Sequence, residues 1–322
     1  MRKIILIIII SFVILSVIVI LLFKKEQSSV SPEIKSATTT NIKINEEKKP
    51  DVKEPQKEGE IKKLESQNET DWQWVERQKK LYQLSPTEIN LILKELYLRF
   101  PENSERLKAL ATLRLGTPYK LGPLGEESGR DKDPIFRLDL ADCTVFVLTT
   151  VALLHSQNLD EAKEMMKFLN YRSPQIITFE NRLHFTTDRN ITSPYFQDIT
   201  EEIAGQNKIK EKIVTLNKIK ADGKHLIDID WEKEIALKYI PNKYITKKFL
   251  QTLPESVGVA FIKAGDEKKG LDVRHEGILF EGKLLFQATS GRGKVVADDF
   301  FEYYFVKKDE PRFDGITFFE IK

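Results

Sequence analysis

The sequence predicts an α+β fold, because helical patterns come first along the chain and strand patterns come last. Apolar residues recur at helical spacing from about Trp72, whereas the chain beyond Ile176 carries short runs rich in Val, Ile and Phe. Such segregation favours helices packed on one face of an antiparallel sheet. The 322 residues are 41% hydrophobic, which is enough for a sizeable core.

Residues 4–23 form a continuous, mostly apolar run, about the length that crosses a bilayer core as a helix. No small-residue cleavage site follows the run, so residues 1–25 are predicted to be an uncleaved transmembrane signal anchor. Basic residues flank both ends. We expect the short N-terminus inside and the bulk of the chain outside, with the reverse topology as the alternative.

Residues 26–70 are rich in Lys, Glu, Ser, Thr and Asn and poor in aromatic residues. Such a composition cannot bury enough apolar surface to offset the entropy of ordering, so this segment is predicted to be a disordered linker. Residues 71–322 form the predicted globular domain.

Helix-capping signals mark three predicted helices. Ser85, Pro86 and Glu88 make a capped start for a helix over 86–98, and a second helix over 102–115 ends before Gly116. The third runs over 142–155 and is apolar nearly all round, which is typical of a helix buried in the core.

Four strands are predicted near the C-terminus, over residues 257–264, 275–281, 283–290 and 315–322. The middle two form a hairpin around Glu281-Gly282. If residues 280–282 form a three-residue loop, Leu279 lies opposite Lys283 and His275 lies opposite Gln287 on one sheet face.

Charge and motifs exclude several classes of function. The chain has 51 Lys plus Arg against 49 Asp plus Glu, a net charge of +2, so no nucleic-acid partner is predicted. No metal-binding motif occurs, and no metal or cofactor is proposed. The GRGK stretch at residues 291–294 lacks the spacing of a phosphate loop and follows a strand as a turn.

The single cysteine, Cys143, cannot form an internal disulfide, so its thiol is free. Asp142 is predicted to cap the third helix, which places Cys143 in the first turn, where the helix dipole favours a thiolate and a lowered pKa. Cys143 is therefore a candidate nucleophile. The alternative is that it is an inert small hydrophobic residue at the start of a buried helix.

A thiol nucleophile needs a base, and His275 is the best of the four histidines. The Gln287 side-chain oxygen would accept a hydrogen bond from one imidazole nitrogen and leave the other to face the thiol. Alternatively, Gln287 is only an exposed strand residue. His155 and His225 are interpreted as structural.

The chain resembles the N-acetylmuramoyl-L-alanine amidase-like family of the papain-like NlpC/P60 superfamily. The resemblance rests on LGTPYKLGPLGE, LDLADCTVFV, YRSPQ through NRLHFTTD, YIPNKYI, GLDVRHEGILF and LLFQATSGRGKVV, in that order. It covers roughly residue 113 to the end. The most specific pieces are GTPY, DCT and GLDVxHxGI, which together form a strong signal.

This resemblance implies a papain-like domain that hydrolyses an amide bond in peptidoglycan or muropeptide fragments. It makes Cys143 the nucleophile, His275 the base and Gln287 the orienting residue. Tyr119 of GTPY matches a tyrosine beside the nucleophile that helps to hold the substrate or the oxyanion, and Asp142 matches a residue that often contacts substrate.

Arg182 and His184 match the RLH segment of the family and are expected substrate contacts, although His184 also has a structural interpretation. The sequence departs from the family pattern at two places. Gln287 stands where histidine is common, and Leu148 stands where the family usually has glutamate.

The resemblance implies cleavage between the muramic lactyl group and L-Ala, through a Cys-His-Gln triad and a thioester. Two alternatives remain open: an endopeptidase cutting between D-Glu and the diamino acid, and a catalytically inactive wall-binding module. With the predicted anchor, the expected location is the bacterial cell membrane, with the domain facing the periplasm or cell wall.

Overall fold

The computed structural model describes residues 69–307 and 310–322. The predicted transmembrane segment and all but the last two residues of the predicted linker lie outside these residues. Within the described part of the chain, no helix has both the length and the apolar character needed to cross a membrane.

The helices are concentrated in the first half of the described chain. They are α1 (Asp71–Arg77), α2 (Pro86–Arg99), α3 (Asn103–Leu113), α4 (Cys143–Leu154), α5 (Leu159–Asn170), α6 (Thr186–Thr192), α7 (Thr200–Ala204), α8 (Lys247–Leu250) and α9 (Phe300–Tyr304). Three of them match the predicted helices closely. Ser85 and Glu88 form the predicted capping box of α2, and Gly116 beyond α3 has a positive φ of 84°.

The strands are β1 (Phe196–Asp198), β2 (Lys210–Leu216), β3 (Lys233–Pro241), β4 (Ser256–Ile262), β5 (His275–Phe280), β6 (Leu284–Thr289), β7 (Lys294–Asp299), β8 (Phe305–Lys307), β9 (Glu310–Pro311) and β10 (Gly315–Ile321). The main sheet has the order β2-β3-β10-β4-β5-β6-β7, with β1 also paired to β10. Its strand pairs are antiparallel, so the predicted α+β class with an antiparallel sheet is confirmed.

Helix α4 is the centre of the helical layer. Every residue from Val145 to Leu154 is buried, and the helix packs against α3, α5, β5 and β6. Residues of α4 share one core with alternate residues of the strands, such as Ile278 and Phe286. The opposite sheet face, including Phe261 and Leu285, belongs to a second core.

The predicted register of the β5–β6 hairpin is wrong. Phe280 stays in the strand and pairs with Leu284, so Leu279 lies opposite Leu285. The turn is formed by Glu281 and Gly282, both with positive φ, and Lys283 N–H donates to the Phe280 carbonyl at 2.9 Å. The turn is therefore one residue later than expected, because two consecutive left-handed residues close a tight turn.

The outer edge of β7 is covered by the GTPY segment. Gly116 N–H donates to the Val295 carbonyl at 2.9 Å, and Tyr119 N–H donates to the Gly293 carbonyl at 2.8 Å. The same segment accepts a hydrogen bond from Ala141, whose N–H lies 3.0 Å from the Pro118 oxygen. These bonds tie the start of α4 to the sheet.

Candidate active site

Cys143 is the first residue of α4, as predicted. The Asp142 carboxylate caps the helix by accepting from Val145 N–H at 2.8 Å, and its other oxygen accepts from Gly122 N–H at 2.8 Å. Both oxygens of this buried side chain are therefore engaged by backbone donors. Cys143 itself is only partly buried.

The sulfur of Cys143 lies against β5. The backbone N–H of Glu276, the residue that follows His275, is near enough to the sulfur to favour its thiolate form. The expected lowering of the thiol pKa is wrong for this structure. Burial, followed by the charges of Asp142 and Glu276, raises the pKa of Cys143 to about 12. The resting group is a neutral thiol that must give up its proton when it attacks.

His275 opens β5, and its ring contacts the next strand. Nε2 lies 2.5 Å from Gln287 Oε1, although the two residues are not directly opposite one another. Gln287 lies beside Gly277: a side chain added at Gly277 would come within 3.4 Å of the Gln287 Cβ. The glutamine therefore reaches diagonally, over a residue without a side chain, to the imidazole.

The incorrect register still placed Gln287 on the same sheet face as His275, because a shift of two residues preserves the alternation of side chains. The predicted pair of His275 and Gln287 is present for this reason. Gln287 is fully buried, which excludes the alternative of an exposed strand residue. Its Nε2 donates to Asp298 Oδ2 on β7 at 2.8 Å.

The surroundings of His275 keep the ring neutral. Burial lowers its pKa, and this effect outweighs the opposite influence of the Gln287 hydrogen bond and the Glu276 charge. The ring stacks on Phe261 with 5.6 Å between centroids, and Tyr303 lies 6.1 Å away. Among the hydrogen bonds of the described residues, His275 bonds to Gln287 and not to the sulfur. The resting pair is thus a neutral imidazole and a neutral thiol.

Glu276 points to the other face of β5 and forms a buried ion pair with Arg189 of α6, at 2.7 Å. Both side chains are 1% exposed. Thr144 Oγ1, next to the nucleophile, donates to the same carboxylate at 2.7 Å. Burial alone would raise the pKa of Glu276, but Arg189 and the hydroxyl donors hold it below its usual value. This network attaches the first turn of α4 to β5.

The backbone of Tyr119 is paired with that of Ala141, two residues before Cys143, and its role beside the nucleophile stays a prediction. The pKa of its phenol is raised by burial and then by the charges of Cys143 and Asp142. Burial, with smaller contributions that include Asp298 and Cys143, raises the pKa of Tyr303 of α9 to about 12. The charge of Cys143 thus acts on both phenols.

Arg182 and His184 are engaged in local structure. Arg182 contacts Glu126 at 2.6 Å and Asp131 at 2.8 Å, and these bonds fasten the loop that precedes α4. His184 Nε2 lies 2.7 Å from the Phe179 carbonyl. Burial lowers the pKa of His184 to about 4, so the ring is neutral. Their roles as substrate contacts stay predictions.

The two remaining histidines lie in local contacts. His225 Nδ1 is 2.6 Å from the Asn217 carbonyl, and the His155 ring lies 5.1 Å from that of Tyr195. Across residues 69–307 and 310–322, no group of three or more potential ligands is arranged to hold a metal ion.

Sequence reasoning missed four residues around the site: Arg189, Glu276, Asp298 and Tyr303. Glu276 carried a usable signal, because a carboxylate at a buried strand position needs a partner. Asp298 carried a second usable signal. Strand alternation places it on the same face of β7 as Val296, which lies opposite Gln287. Arg189 and Tyr303 depend on tertiary packing and carried no comparable signal.

The fold and these contacts define an α+β domain in which a thiol begins a buried helix and the adjoining strand carries an imidazole bonded to a buried amide. A family model for N-acetylmuramoyl-L-alanine amidase-like (AmiA-like) proteins matches residues 109–314. The chain belongs to this family. Membership implies a hydrolase that acts on amide bonds of peptidoglycan. No curated protein matches the chain.

Solved structures support the fold. A Legionella pneumophila protein of the family model DUF1460 is 22% identical, with a TM-score of 0.59, over 73% of this chain and 95% of that one. An N-acetylmuramoyl-L-alanine amidase from Bacteroides uniformis is 20% identical, with a TM-score of 0.52, over 68% of this chain and 99% of that one. At these identities the likeness concerns the fold alone.

Proposed function

We propose that the domain is a papain-like cysteine amidase of the NlpC/P60 superfamily that cleaves muropeptides between the muramic lactyl group and L-Ala. Cys143 is the nucleophile, His275 the base and Gln287 the orienting residue. One observation supports the proposal: the first turn of α4 is bonded to β5 next to His275, through Thr144 and Glu276, and the His275 ring is held by a buried glutamine.

The reaction starts from a neutral pair. Because the Gln287 oxygen accepts from Nε2–H, Nδ1 is the imidazole nitrogen free to take a proton. The imidazole moves to the thiol, Nδ1 removes its proton as sulfur bonds to the amide carbon, and the resulting imidazolium then protonates the leaving amine. Water activated by His275 hydrolyses the thioester and restores the thiol.

The oxyanion needs preorganised donors. The Cys143 backbone N–H stands at the first position of α4, where N–H groups have no partner within the helix. The Tyr119 hydroxyl, kept protonated by its raised pKa, is the proposed second donor. Because Cys143 is only partly buried, the proposal places the substrate approach at this end of α4.

Mass spectrometry of digested muropeptides tests this proposal against the endopeptidase. The amidase releases the intact stem peptide and leaves a peptide-free amino sugar. An endopeptidase releases fragments that begin at the diamino acid, and such fragments alone would overturn the amidase assignment. If neither product forms under conditions in which the protein retains muropeptides, the protein is the inactive wall-binding module.

We also propose that residues 1–25 anchor the protein in the bacterial membrane, with residues 26–70 as a tether and the domain facing the periplasm or cell wall. The apolar run at residues 4–23 supports this proposal. Membrane fractions should contain the full chain and lose it when residues 1–25 are deleted. Protease added to intact spheroplasts should digest the domain, whereas protection would reverse the topology.

A further inference from the structure

A row of polar side chains continues beyond the proposed triad onto a third strand. His275 on β5 contacts Gln287 on β6, and Gln287 contacts Asp298 on β7, at 2.5 and 2.8 Å. The Asp298 side chain is 10% exposed, and Arg292, in the turn between β6 and β7, binds its other oxygen at 2.7 Å. Both hydrogen bonds join residues that lie diagonally on neighbouring strands. Gln287, for example, is directly opposite Val296 and not Asp298.

This row determines which end of the Gln287 amide faces the imidazole. An amide has an accepting oxygen and a donating NH₂ group, and both ends have nearly the same shape. An ionised carboxylate only accepts, so Asp298 selects the NH₂ end of Gln287. The oxygen end must then face His275, and it requires a proton on Nε2.

The choice of tautomer has a chemical consequence. With the proton on Nε2, Nδ1 is an acceptor and can take the proton of the thiol. A reversed amide would present NH₂ to Nε2 and move the ring proton to Nδ1. The ring would then be unable to act as a base through Nδ1 until the amide turned back.

We propose that Asp298 is a positioning residue that acts through Gln287 to set the tautomer of His275, and that Arg292 fixes the carboxylate for this task. The role in catalysis rests on the proposed amidase function. The hydrogen-bond role stands on the contacts themselves and can be measured without turnover.

The substitution Asp298→Asn makes a specific prediction because Arg292 only donates. The introduced amide must turn its oxygen to the guanidinium, which leaves its NH₂ facing Gln287. The glutamine then reverses, and His275 takes the proton on Nδ1. Nitrogen NMR of the purified full chain with labelled histidine reports this change, and His275→Gln assigns the signal.

We expect wild-type His275 to be protonated on Nε2 and the Asp298→Asn variant to shift to Nδ1. The kcat should fall by about 10- to 100-fold with little change in KM, as is typical when a supporting partner of an active-site residue is lost. Adding Arg292→Met to Asp298→Asn should recover part of the kcat, because the introduced amide can then turn its oxygen to Gln287.

The pH profile gives a second readout. The titratable groups around His275 are Tyr303 from α9, Asp298 through Gln287, Glu276, which acts by its charge from the other face of the strand, and Cys143, which lies near the Glu276 backbone. Removing the Asp298 charge destabilises the imidazolium and so lowers the pKa of His275. The acidic limb of kcat/KM should therefore move to lower pH in Asp298→Asn.

The matched control is Asp266→Asn, in an Arg–Asp pair with Arg274 that does not contact Gln287. It should change neither the tautomer nor the pH profile. An Nδ1-protonated His275 in the wild type, or an unchanged tautomer in folded Asp298→Asn, would overturn the proposal. If the variant fails to fold, the tautomer of wild-type His275 still tests the proposal, because it must be protonated on Nε2. A tautomer shift in a protein without amidase activity would refute the proposed function and leave the positioning role intact.

Discussion

The two faces of β5 differ in the kind of polar contact that they make. On one face, His275 is partly exposed, neutral, and bonded to a neutral amide. On the other, Glu276 is 1% exposed and forms a fully buried ion pair with Arg189. The two side chains are adjacent in sequence and flank the position where the strand meets the Cys143 sulfur.

Under the proposed mechanism, this difference separates a residue that transfers protons from one that anchors a helix. A group that transfers protons needs a pKa near the working pH and a partner that tolerates both of its states. A group that anchors a helix benefits from a charge pair that is costly to break. Strand alternation lets consecutive residues of one strand take these opposite tasks.

Of the two β5 residues, His275 should have the larger effect on activity when replaced. The variant His275→Gln removes the proposed base, and loss of general-base catalysis typically lowers rates by about 10²- to 10⁴-fold. Because the residue is partly exposed, thermal unfolding should change little. Steady-state kinetics on muropeptide together with a melting curve checks both expectations. Activity within a few-fold of wild type would remove His275 from the mechanism.

Replacing Glu276 should affect stability most. The variant Glu276→Ala leaves Arg189 buried without its partner, which costs about 3–5 kcal/mol of unfolding free energy. The double variant Glu276→Leu with Arg189→Met should recover much of that loss, because no charge stays buried. Urea unfolding of both variants measures the difference. Equal losses in the two would show that the ion pair is not the source.

The neutral buried His184 should make the domain sensitive to acid. Its folded-state pKa of about 4 lies below the ordinary value of 6.5, so the unfolded chain binds more protons between these values. Stability is therefore lost as pH falls from 6.5 to 4, by about 3 kcal/mol from this group. His184→Gln should flatten the pH dependence of the unfolding free energy. An unchanged slope would contradict the assignment.

Replacing Arg114 should change stability least. The result can be compared with that for Arg189, whose buried charge is paired with Glu276. The Arg114 side chain is fully buried, donates to Thr149 at 2.6 Å, and has no hydrogen-bond partner for Nε or Nη2 among the described residues. Burial lowers the pKa of Arg114 to about 9. Arg114→Met should therefore raise the unfolding free energy, by roughly 1 kcal/mol. A loss of several kcal/mol would mean that the charge is stabilising.

Much of the fold was predictable because local signals agree with it. The capping box at Ser85 and the cap at Asp142 fixed two helix starts, and the four predicted C-terminal strands are present. The strands β2 and β3 were missed because they are rich in charged residues, and β7 was missed because it begins inside the turn-like GRGK stretch.

The site was predictable in outline only. The pairing of His275 with Gln287 followed from alternation and survived an incorrect register, because the error was an even number of residues. The direction of the Cys143 pKa shift was not predictable from the helix start alone. It depends on burial and on the Glu276 carboxylate, which tertiary packing brings to the sulfur.

The most direct test of the account is the mass of a covalent intermediate. Acid quenching during turnover of a muropeptide, followed by peptide mapping, should give a muramoyl thioester on the Cys143 peptide. The adduct should be absent from Cys143→Ala, which should lose at least about 10³-fold in rate. A stem-peptide acyl group on Cys143 would identify the endopeptidase instead. Turnover by Cys143→Ala at the wild-type rate would contradict cysteine catalysis altogether.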